Sequence, residues 1–173
     1  MEFRIEPVVM DEFREIAQVI ETVWEGLERK EWFAADDEEY VFRMMSTGQG
    51  IGFKAVEAVS GCMAGVFMAV VPGMEPDNLG RDIGLGDQEL PYVVHMDTVA
   101  ILPAYRGNRL QFRLMQAAEE EIRSRGYRYL MCTVHPDNRY SRDNILAQGY
   151  RVAAAKEKYG GYPRDILLKE LDA

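Results

Sequence analysis

The chain has 173 residues, of which 47% are hydrophobic and 28% are charged. That length corresponds to about one domain of ordinary size and is long enough to bury a hydrophobic core. The composition is that of a globular protein, and it excludes collagen, a coiled coil or a disordered chain as a description of the whole. The formal net charge of −9 lacks the clustered cations that phosphate backbones require, so we expect no nucleic-acid partner.

No stretch of the sequence has the length and apolar character of a membrane span, and the N-terminal segment lacks the apolar run of a secretory signal. We therefore expect no membrane association and a cytoplasmic location. Cys62 and Cys132 lie apart in strand-like segments, and we expect both to be buried, reduced thiols. The two histidines and two cysteines are far apart in the sequence and give no metal-binding pattern, so we expect no metal.

The N-terminal third predicts a strand followed by two helices. Residues 3–9 are typical of a short edge strand, and Asp11 is a suitable N-cap for the helix after it. Apolar positions from Phe13 onward recur at helical spacing and predict an amphipathic helix. Asp36 with Glu39 has the spacing of a capping box and predicts a short second helix.

The middle of the chain predicts a hairpin and then a long connection. Residues 50–56 and 62–71 are two apolar strands separated by a Ser60-Gly61 turn. Residues 72–91 are rich in Gly, Pro and Asp and predict a loop. Loops of that length in compact domains are often functional.

The second half predicts a strand–helix–strand unit followed by closing elements. These are a strand over 92–102, a helix from Leu110 to near Gly126, a strand over 129–134, a helix over 140–147, and strands over 150–156 and 164–171. The right-handed crossover rule makes the first two of these strands parallel. The whole order predicts a mixed sheet with helices on both faces.

The junction Ile101-Leu-Pro-Ala-Tyr-Arg-Gly-Asn-Arg-Leu-Gln111 is the most informative segment. A turn between a strand and a helix presents backbone N–H groups at the positive end of the helix dipole, which is a binding geometry for phosphate. Arg106 adds a bidentate donor, and Gly107 permits a tight turn. The same residues are also compatible with an ordinary loop carrying an exposed arginine. Neither a Walker loop nor the dinucleotide GxGxxG motif is present.

The stretch of residues 103–111 resembles the cofactor-binding signature of the GNAT superfamily of acyl-CoA-dependent N-acyltransferases. That signature runs Arg/Gln-x-x-Gly-x-Gly/Ala at a strand-to-helix junction. The resemblance extends over most of the chain, through the element order and through Val134-His-Pro-Asp-Asn138, a short helix and Gly149-Tyr150. It implies one domain over residues 1–173 with the α/β fold of the family, a central mixed and mostly antiparallel sheet with helices on both faces. Arg109 and Gln111 replace the two glycines of the signature.

The resemblance also implies how acetyl-CoA is held. The pyrophosphate contacts fall on the turn and the first helical residues, namely Arg106, Gly107, Asn108, Arg109, Leu110 and Gln111. In the family a bulge frees main-chain groups of the preceding strand for pantetheine, and the matching positions are Val99 and Ile101. Asn138 corresponds to an asparagine that contacts pantetheine. A regular buried strand and a simple helix N-cap are the alternatives at these positions.

Transfer to an amine requires removal of a proton, because a typical primary amine is protonated at neutral pH. Asp97 lies about where many family members have a glutamate base, and His95 lies on the same face of the strand. Either side chain could instead bind a neighbouring loop. The tyrosine that many members use as a general acid corresponds to Ile145, so that acid is missing. Tyr140, on the same predicted helix, is a weaker substitute.

The resemblance therefore implies an acetyltransferase that moves an acetyl group from acetyl-CoA to a primary amine of a small molecule or peptide, by direct attack. Carboxylates within residues 31–39 and 75–89 favour a cationic acceptor, with Trp32 available for a cation–π contact. They are equally typical of helix capping and solubility. A non-catalytic acyl-CoA-binding or sensing module, and an interaction module without cofactor, are the alternatives. Dimers are common in the family, so the resemblance also implies a homodimer as a candidate oligomeric state.

Overall fold

The computed structural model describes residues 1–33 and 35–172. In this part of the chain it contains seven strands and four α-helices. The strands are β1 (Phe3–Pro7), β2 (Gly50–Glu57), β3 (Met63–Val70), β4 (Val93–Ile101), β5 (Tyr129–Val134), β6 (Arg151–Lys158) and β7 (Tyr162–Glu170). The helices are α1 (Phe13–Glu25), α2 (Glu38–Ser46), α3 (Leu110–Ser124) and α4 (Arg139–Ala147). None of the helices within the described residues is long and apolar enough to cross a bilayer.

The strands form one sheet in the order β1-β2-β3-β4-β5-β7-β6. The pairs β1–β2, β2–β3, β5–β7 and β6–β7 are antiparallel, whereas β4 and β5 are parallel. The expected mixed and mostly antiparallel sheet is therefore confirmed, as is the parallel pair predicted from the crossover through α3. The hairpin β2–β3 is also confirmed.

The chain divides into two compact units, and the boundary falls inside β4. The first unit comprises Met1–Lys30, Ala35–Val70 and Asp97–Glu121. Its core forms where the apolar face of α1, with Ile16 and Ile20 fully buried, packs on β3. Every residue of β3 is buried, as expected for a strand with neighbours on both sides.

The second unit comprises Glu31–Ala34, Val71–Met96 and Ile122–Ala173. Its core joins apolar side chains from three strands and from the long connection, namely Leu79, Val93, Tyr129, Met131, Ile166 and Leu168. The prediction of a single domain over residues 1–173 is not tested by this division and stays a prediction.

Residues 72–91, predicted as a loop, contain short 3₁₀ turns at Leu79–Ile83 and Leu90–Tyr92. Asn78 links the two ends of this segment, because its buried side-chain amide nitrogen donates to the carbonyls of Gly73 at 2.8 Å and Leu90 at 3.2 Å. Its side-chain oxygen accepts the N–H of Gly80 at 2.8 Å. The segment is therefore folded on its own hydrogen bonds.

Both predicted helix starts are displaced. Asp11 lies inside a 3₁₀ turn at Met10–Glu12, and α1 begins only at Phe13. The N-cap of α2 is Asp37, whose carboxylate accepts the Tyr40 N–H at 2.8 Å. Asp36, predicted as that cap, instead accepts a hydrogen bond from another strand, as described below.

Candidate active site

The turn between β4 and α3 has the backbone form of an anion-binding loop. After a 3₁₀ turn at Pro103–Tyr105, Gly107 has φ +83° and Arg109 has φ +56°, both in the left-handed region. A side chain in this region costs roughly 1–2 kcal/mol relative to ordinary backbone. The first signature glycine position therefore keeps a glycine-like conformation although an arginine occupies it.

The turn is closed by its own side chains. The side-chain amide nitrogen of Asn108 donates to the carbonyl of Tyr105 at 2.9 Å, and this hydrogen bond closes the turn. The guanidinium of Arg109 lies over the Phe112 ring at 4.7 Å, and Arg106, Gly107 and Arg109 are all exposed. The exposed surface of the turn therefore carries two arginines as well as backbone groups.

The first turn of α3 carries amides that a helix cannot satisfy internally. The first backbone bond that closes a full helical turn here runs from the Arg113 N–H to the Arg109 carbonyl, at 3.0 Å. Leu110 is buried, and the Nε2 amide of Gln111 is buried with no hydrogen-bond partner among the described residues. An orphaned buried donor beside the free amides of a helix start fits a ligand that supplies oxygen acceptors, as the phosphates of a nucleotide do.

β4 is paired with β5 over only part of its length. Their parallel ladder covers Val93–Tyr129, Val94–Leu130 and His95–Met131, and β4 then continues to Ile101. The main-chain groups of its later residues are therefore not engaged by that ladder. Val99 and Ile101 are half-buried on the same face of β4 as the exposed Asp97.

Close approach of β3 to the end of β4 depends on Gly65. A Cβ on Gly65 would lie 2.5 Å from the Ile101 Cδ1 atom and 3.0 Å from the Ala100 carbonyl oxygen. The first contact is with the movable end of a side chain, and the second is a tight contact with backbone. A methyl group at this position would therefore require Ile101 and the backbone beside it to shift.

Two neighbouring side chains of β4 are bound by the segment that starts α2. The Tyr40 hydroxyl donates to Oδ2 of Asp97 at 3.1 Å, and the Thr98 hydroxyl donates to Oδ2 of Asp36 at 2.5 Å. Burial raises the pKa of Asp36, an effect that the Thr98 hydrogen bond opposes and the neighbouring Asp37 reinforces. Asp97 therefore lies in a hydrogen-bonded setting rather than as an isolated surface carboxylate.

His95 lies in the second unit and anchors the long connection. Its Nε2 atom accepts the N–H of Leu79 at 3.0 Å. Burial lowers the pKa of His95 to about 4, with Lys158 acting in the same direction and Asp77 and Asp82 opposing it. The imidazole is consequently neutral at pH 7. The Nε2 lone pair that a general base would use already accepts the Leu79 N–H.

α4 begins and packs as its sequence suggests. Asn138 is the N-cap, accepting the Ser141 N–H at 3.4 Å. Ile145 is 5% exposed and belongs to the core, so the side chain at the family's tyrosine position contributes no acid. Tyr140 is 76% exposed.

Several of the carboxylates proposed to attract a cation already have partners. Asp82 pairs with Lys156 at 3.1 Å and with Lys158 at 2.6 Å, and Glu89 accepts from the Tyr129 hydroxyl at 3.3 Å. Asp36 accepts a hydrogen bond from Thr98, and Asp37 caps α2. The alternative of structural and capping roles therefore holds for these four side chains.

Arg164 is a buried cation that no local sequence pattern singles out. It is 4% exposed and donates to the carbonyls of Pro163 at 2.9 Å and Glu31 at 2.6 Å. The rings of Tyr159 and Tyr162 lie 5.4 and 5.6 Å from its guanidinium carbon. Arg164 thereby holds the chain just before Trp32, a contact across 133 residues that no local pattern reveals.

The family model of the GNAT acetyltransferases matches residues 10–150, and the chain belongs to that family. This family uses acetyl-CoA as its acyl donor, so the protein is an acyltransferase with acetyl-CoA as co-substrate. A search of curated proteins finds no match.

Solved structures share the fold at low sequence identity. A GNAT-family acetyltransferase from Streptococcus pneumoniae is 15% identical, with 98% of this chain and 100% of that chain covered and a TM-score of 0.73. An N-acetyltransferase from Staphylococcus aureus Mu50 is 15% identical, with 99% of each chain covered and a TM-score of 0.70. A phosphinothricin acetyltransferase from Sinorhizobium meliloti, in complex with acetyl-CoA, is 16% identical, with 99% and 89% covered and a TM-score of 0.70.

Proposed function

We propose that this protein transfers the acetyl group of acetyl-CoA to a primary amine by direct attack, without a covalent enzyme intermediate. The observation that carries the proposal is the turn before α3, where Gly107 and Arg109 have left-handed backbone beside an open helix N-terminus. Family membership supplies the donor, and this turn is the part of the chain best suited to hold the donor's phosphates.

In this proposal the turn and the first residues of α3 hold the pyrophosphate. Arg106 contributes charge, and the N–H groups of residues 107–111 contribute hydrogen bonds. Main-chain groups of Val99 and Ile101 bind pantetheine amides in the manner of an added strand. We assign the side-chain amide of Asn138 to pantetheine as well, in addition to its role as the N-cap of α4.

The chemical step requires one proton acceptor and little else. The amine nitrogen bonds to the thioester carbonyl carbon, the carbon–sulfur bond breaks, and the amine proton passes to Asp97 directly or through water. The CoA thiolate, with a pKa near 8.5, takes a proton from solvent, which is consistent with the burial of Ile145 at the usual acid position. We assign the base role to Asp97. A base role for His95 stays a prediction, and its hydrogen bond with Leu79 opposes it.

We propose a cationic amine as the acceptor. The net charge of −9 favours the approach of cations, and Trp32 is half-buried rather than enclosed. Spermidine, lysine and kanamycin represent three forms of cationic primary amine. Benzylamine, which carries no positive charge besides that of its reacting amine, is offered at the same concentration and tests whether additional positive charge matters.

One observation favours a second candidate function, a non-catalytic acyl-CoA sensor. Arg109 and Gln111 occupy the signature glycine positions, and the acid position is filled by a buried isoleucine. A sensor binds acetyl-CoA and releases no CoA with any amine. The enzyme releases CoA in proportion to added amine.

The experiment that tests the proposal measures CoA release with the four amines for the wild type and for Asp97→Asn. We expect amine-dependent release that falls at least tenfold in the variant, an effect typical of losing a general base. Mass spectrometry of the protein after acetyl-CoA without amine should show no acetyl adduct. Burial raises the pKa of the Cys132 thiol to about 12, so it is a poor nucleophile. Cys62, expected to be buried, is exposed, and Cys62→Ser controls for this thiol. An acetyl-cysteine that acetylates the amine would overturn direct attack.

A further inference from the structure

We propose that Tyr40 is a positioning residue for the proton transfer, in that its hydroxyl holds the carboxylate of Asp97 in the orientation that receives the proton of the amine. The inference rests on the proposed function, in which Asp97 is the base. It assigns a role to a residue of α2 that has no place in the cofactor-binding turn and lies 57 positions from Asp97 in the sequence.

The contact is specific to one carboxylate oxygen. The Tyr40 hydroxyl donates to Oδ2 of Asp97 at 3.1 Å, slightly longer than the roughly 2.5–3.0 Å of most hydrogen bonds from a hydroxyl to an oxygen. Asp97 is exposed, and an exposed aspartate samples several rotamers unless a directed contact selects one. A carboxylate has about four acceptor sites on its two oxygens, so the bond from Tyr40 selects an orientation and itself uses one of these sites.

Tyr40 is itself held in place from two sides. Its backbone N–H is capped by the Asp37 carboxylate at 2.8 Å, which fixes the first turn of α2. The guanidinium of Arg43 lies 5.5 Å from the centre of its ring. The hydroxyl is therefore presented to Asp97 from a side chain with a defined position.

The link between β4 and the segment around the start of α2 does not depend on that hydroxyl alone. The Thr98 hydroxyl donates to Asp36, four residues before Tyr40, at 2.5 Å. Removal of the Tyr40 oxygen alone thus leaves a direct bond between the same two segments. A Tyr40→Phe variant can test the hydroxyl without removing the ring or its packing.

The experiment compares Tyr40→Phe, Asp97→Asn and the double variant, using the amine that gives the fastest CoA release among spermidine, lysine and kanamycin. We expect Tyr40→Phe to lower kcat about tenfold, the effect of losing one hydrogen bond to a charged group. The dissociation constant of acetyl-CoA, measured by calorimetry, should stay unchanged. In the Asp97→Asn background the loss from Tyr40→Phe should disappear, because Tyr40 acts through Asp97. Tyr92→Phe, an exposed tyrosine in the other unit, is the matched control.

A second readout uses the protein without ligand. A hydroxyl that donates to a carboxylate stabilises its charged form. The titration midpoint of the Asp97 side-chain carboxyl, followed by carbon-detected NMR, should therefore move to higher pH in Tyr40→Phe and stay in place in Tyr92→Phe. An unchanged midpoint in Tyr40→Phe would show that the hydroxyl does not donate to the Asp97 carboxylate, and this would overturn the proposal.

Three further outcomes overturn the proposal, and they are separable. Full activity of Tyr40→Phe together with a loss in Asp97→Asn leaves the base assignment standing and removes the role of Tyr40. A tenfold loss that persists in the Asp97→Asn background shows that Tyr40 acts elsewhere. Full activity of Asp97→Asn alone refutes the base itself, and this result is visible without any Tyr40 variant.

Discussion

The buried histidine of the second unit makes stability depend on pH in a way that one substitution can isolate. Nε2 of His95 accepts the Leu79 N–H, so protonation would place two donors against each other. Burial holds the pKa of His95 at about 4, below its ordinary value of 6.5. In His95→Gln the side-chain oxygen can still accept the Leu79 N–H, and the group no longer titrates.

The sign and size of the effect follow from proton linkage. Between pH 6.5 and pH 4 the unfolded chain binds a proton at His95 that the folded chain does not, so stability falls as the pH is lowered. Between pH 7 and pH 5 this loss amounts to about 2 kcal/mol for the wild type. The same titration is absent from His95→Gln. The difference in unfolding free energy between the two proteins should therefore shift by about 2 kcal/mol across that range.

The assay is urea denaturation of both proteins at pH 7, 6 and 5, with His135→Gln, which removes the other histidine, as the control. Carboxylates that titrate in this range affect all three proteins alike and cancel in the difference. We expect His135→Gln to keep the fall in unfolding free energy on acidification that His95 causes in the wild type. A His95→Gln protein that loses as much stability on acidification as the wild type would refute the neutral, anchoring histidine.

Three further substitutions test the turn, the sheet and the buried cation. Because Arg109 has φ +56°, Arg109→Gly should be about 1 kcal/mol more stable to urea than Arg109→Ala, which keeps the strain. Gly65→Ala should lower the unfolding free energy by about 1–3 kcal/mol and weaken acetyl-CoA binding, because the new methyl group displaces Ile101. Arg164→Met should lower the thermal midpoint and shift tryptophan emission to the red, because the bond to the Glu31 carbonyl that precedes Trp32 is lost.

Each of these has an outcome that contradicts its reasoning. Equal stability of the two Arg109 variants would show that the arginine is not strained. Gly26→Ala is the control for Gly65, since its Cβ would meet nothing closer than 3.6 Å, and equal effects of the two would refute the close contact. Unchanged emission in Arg164→Met, recorded in a Trp24→Phe background, would show that the arginine does not hold the Trp32 segment.

The sequence was sufficient for the elements whose signal is local. β5 was predicted over residues 129–134 and is observed at Tyr129–Val134, and α3 starts at Leu110 as its apolar spacing indicates. Helix starts were less predictable, because Asp36 and Asp37 are both good caps. The choice of Asp37 leaves Asp36 for Thr98, a residue 62 positions away. Local patterns carry no information about such a partner.

The candidate site likewise contains some features that the local sequence predicts and others that it does not. The turn at residues 106–109 was found from its position between strand and helix, and from the family signature. Its left-handed Arg109 could not be found, because glycine rather than arginine signals that conformation. The hydrogen bonds of His95 with Leu79, and of Tyr40 with Asp97, depend on packing between distant segments. The roles of the two β4 side chains therefore differ in the fold, although the sequence placed both on one face of a strand.

All of the proposed chemistry depends on acetyl-CoA binding at the turn before α3, and calorimetric titration measures that binding. We expect micromolar binding of acetyl-CoA by the wild type, clearly weaker binding by Arg106→Ala, and wild-type binding by Arg125→Ala, which removes an exposed arginine beyond the far end of α3. No heat of binding with the wild-type protein, or equal affinity of all three proteins, would contradict this expectation.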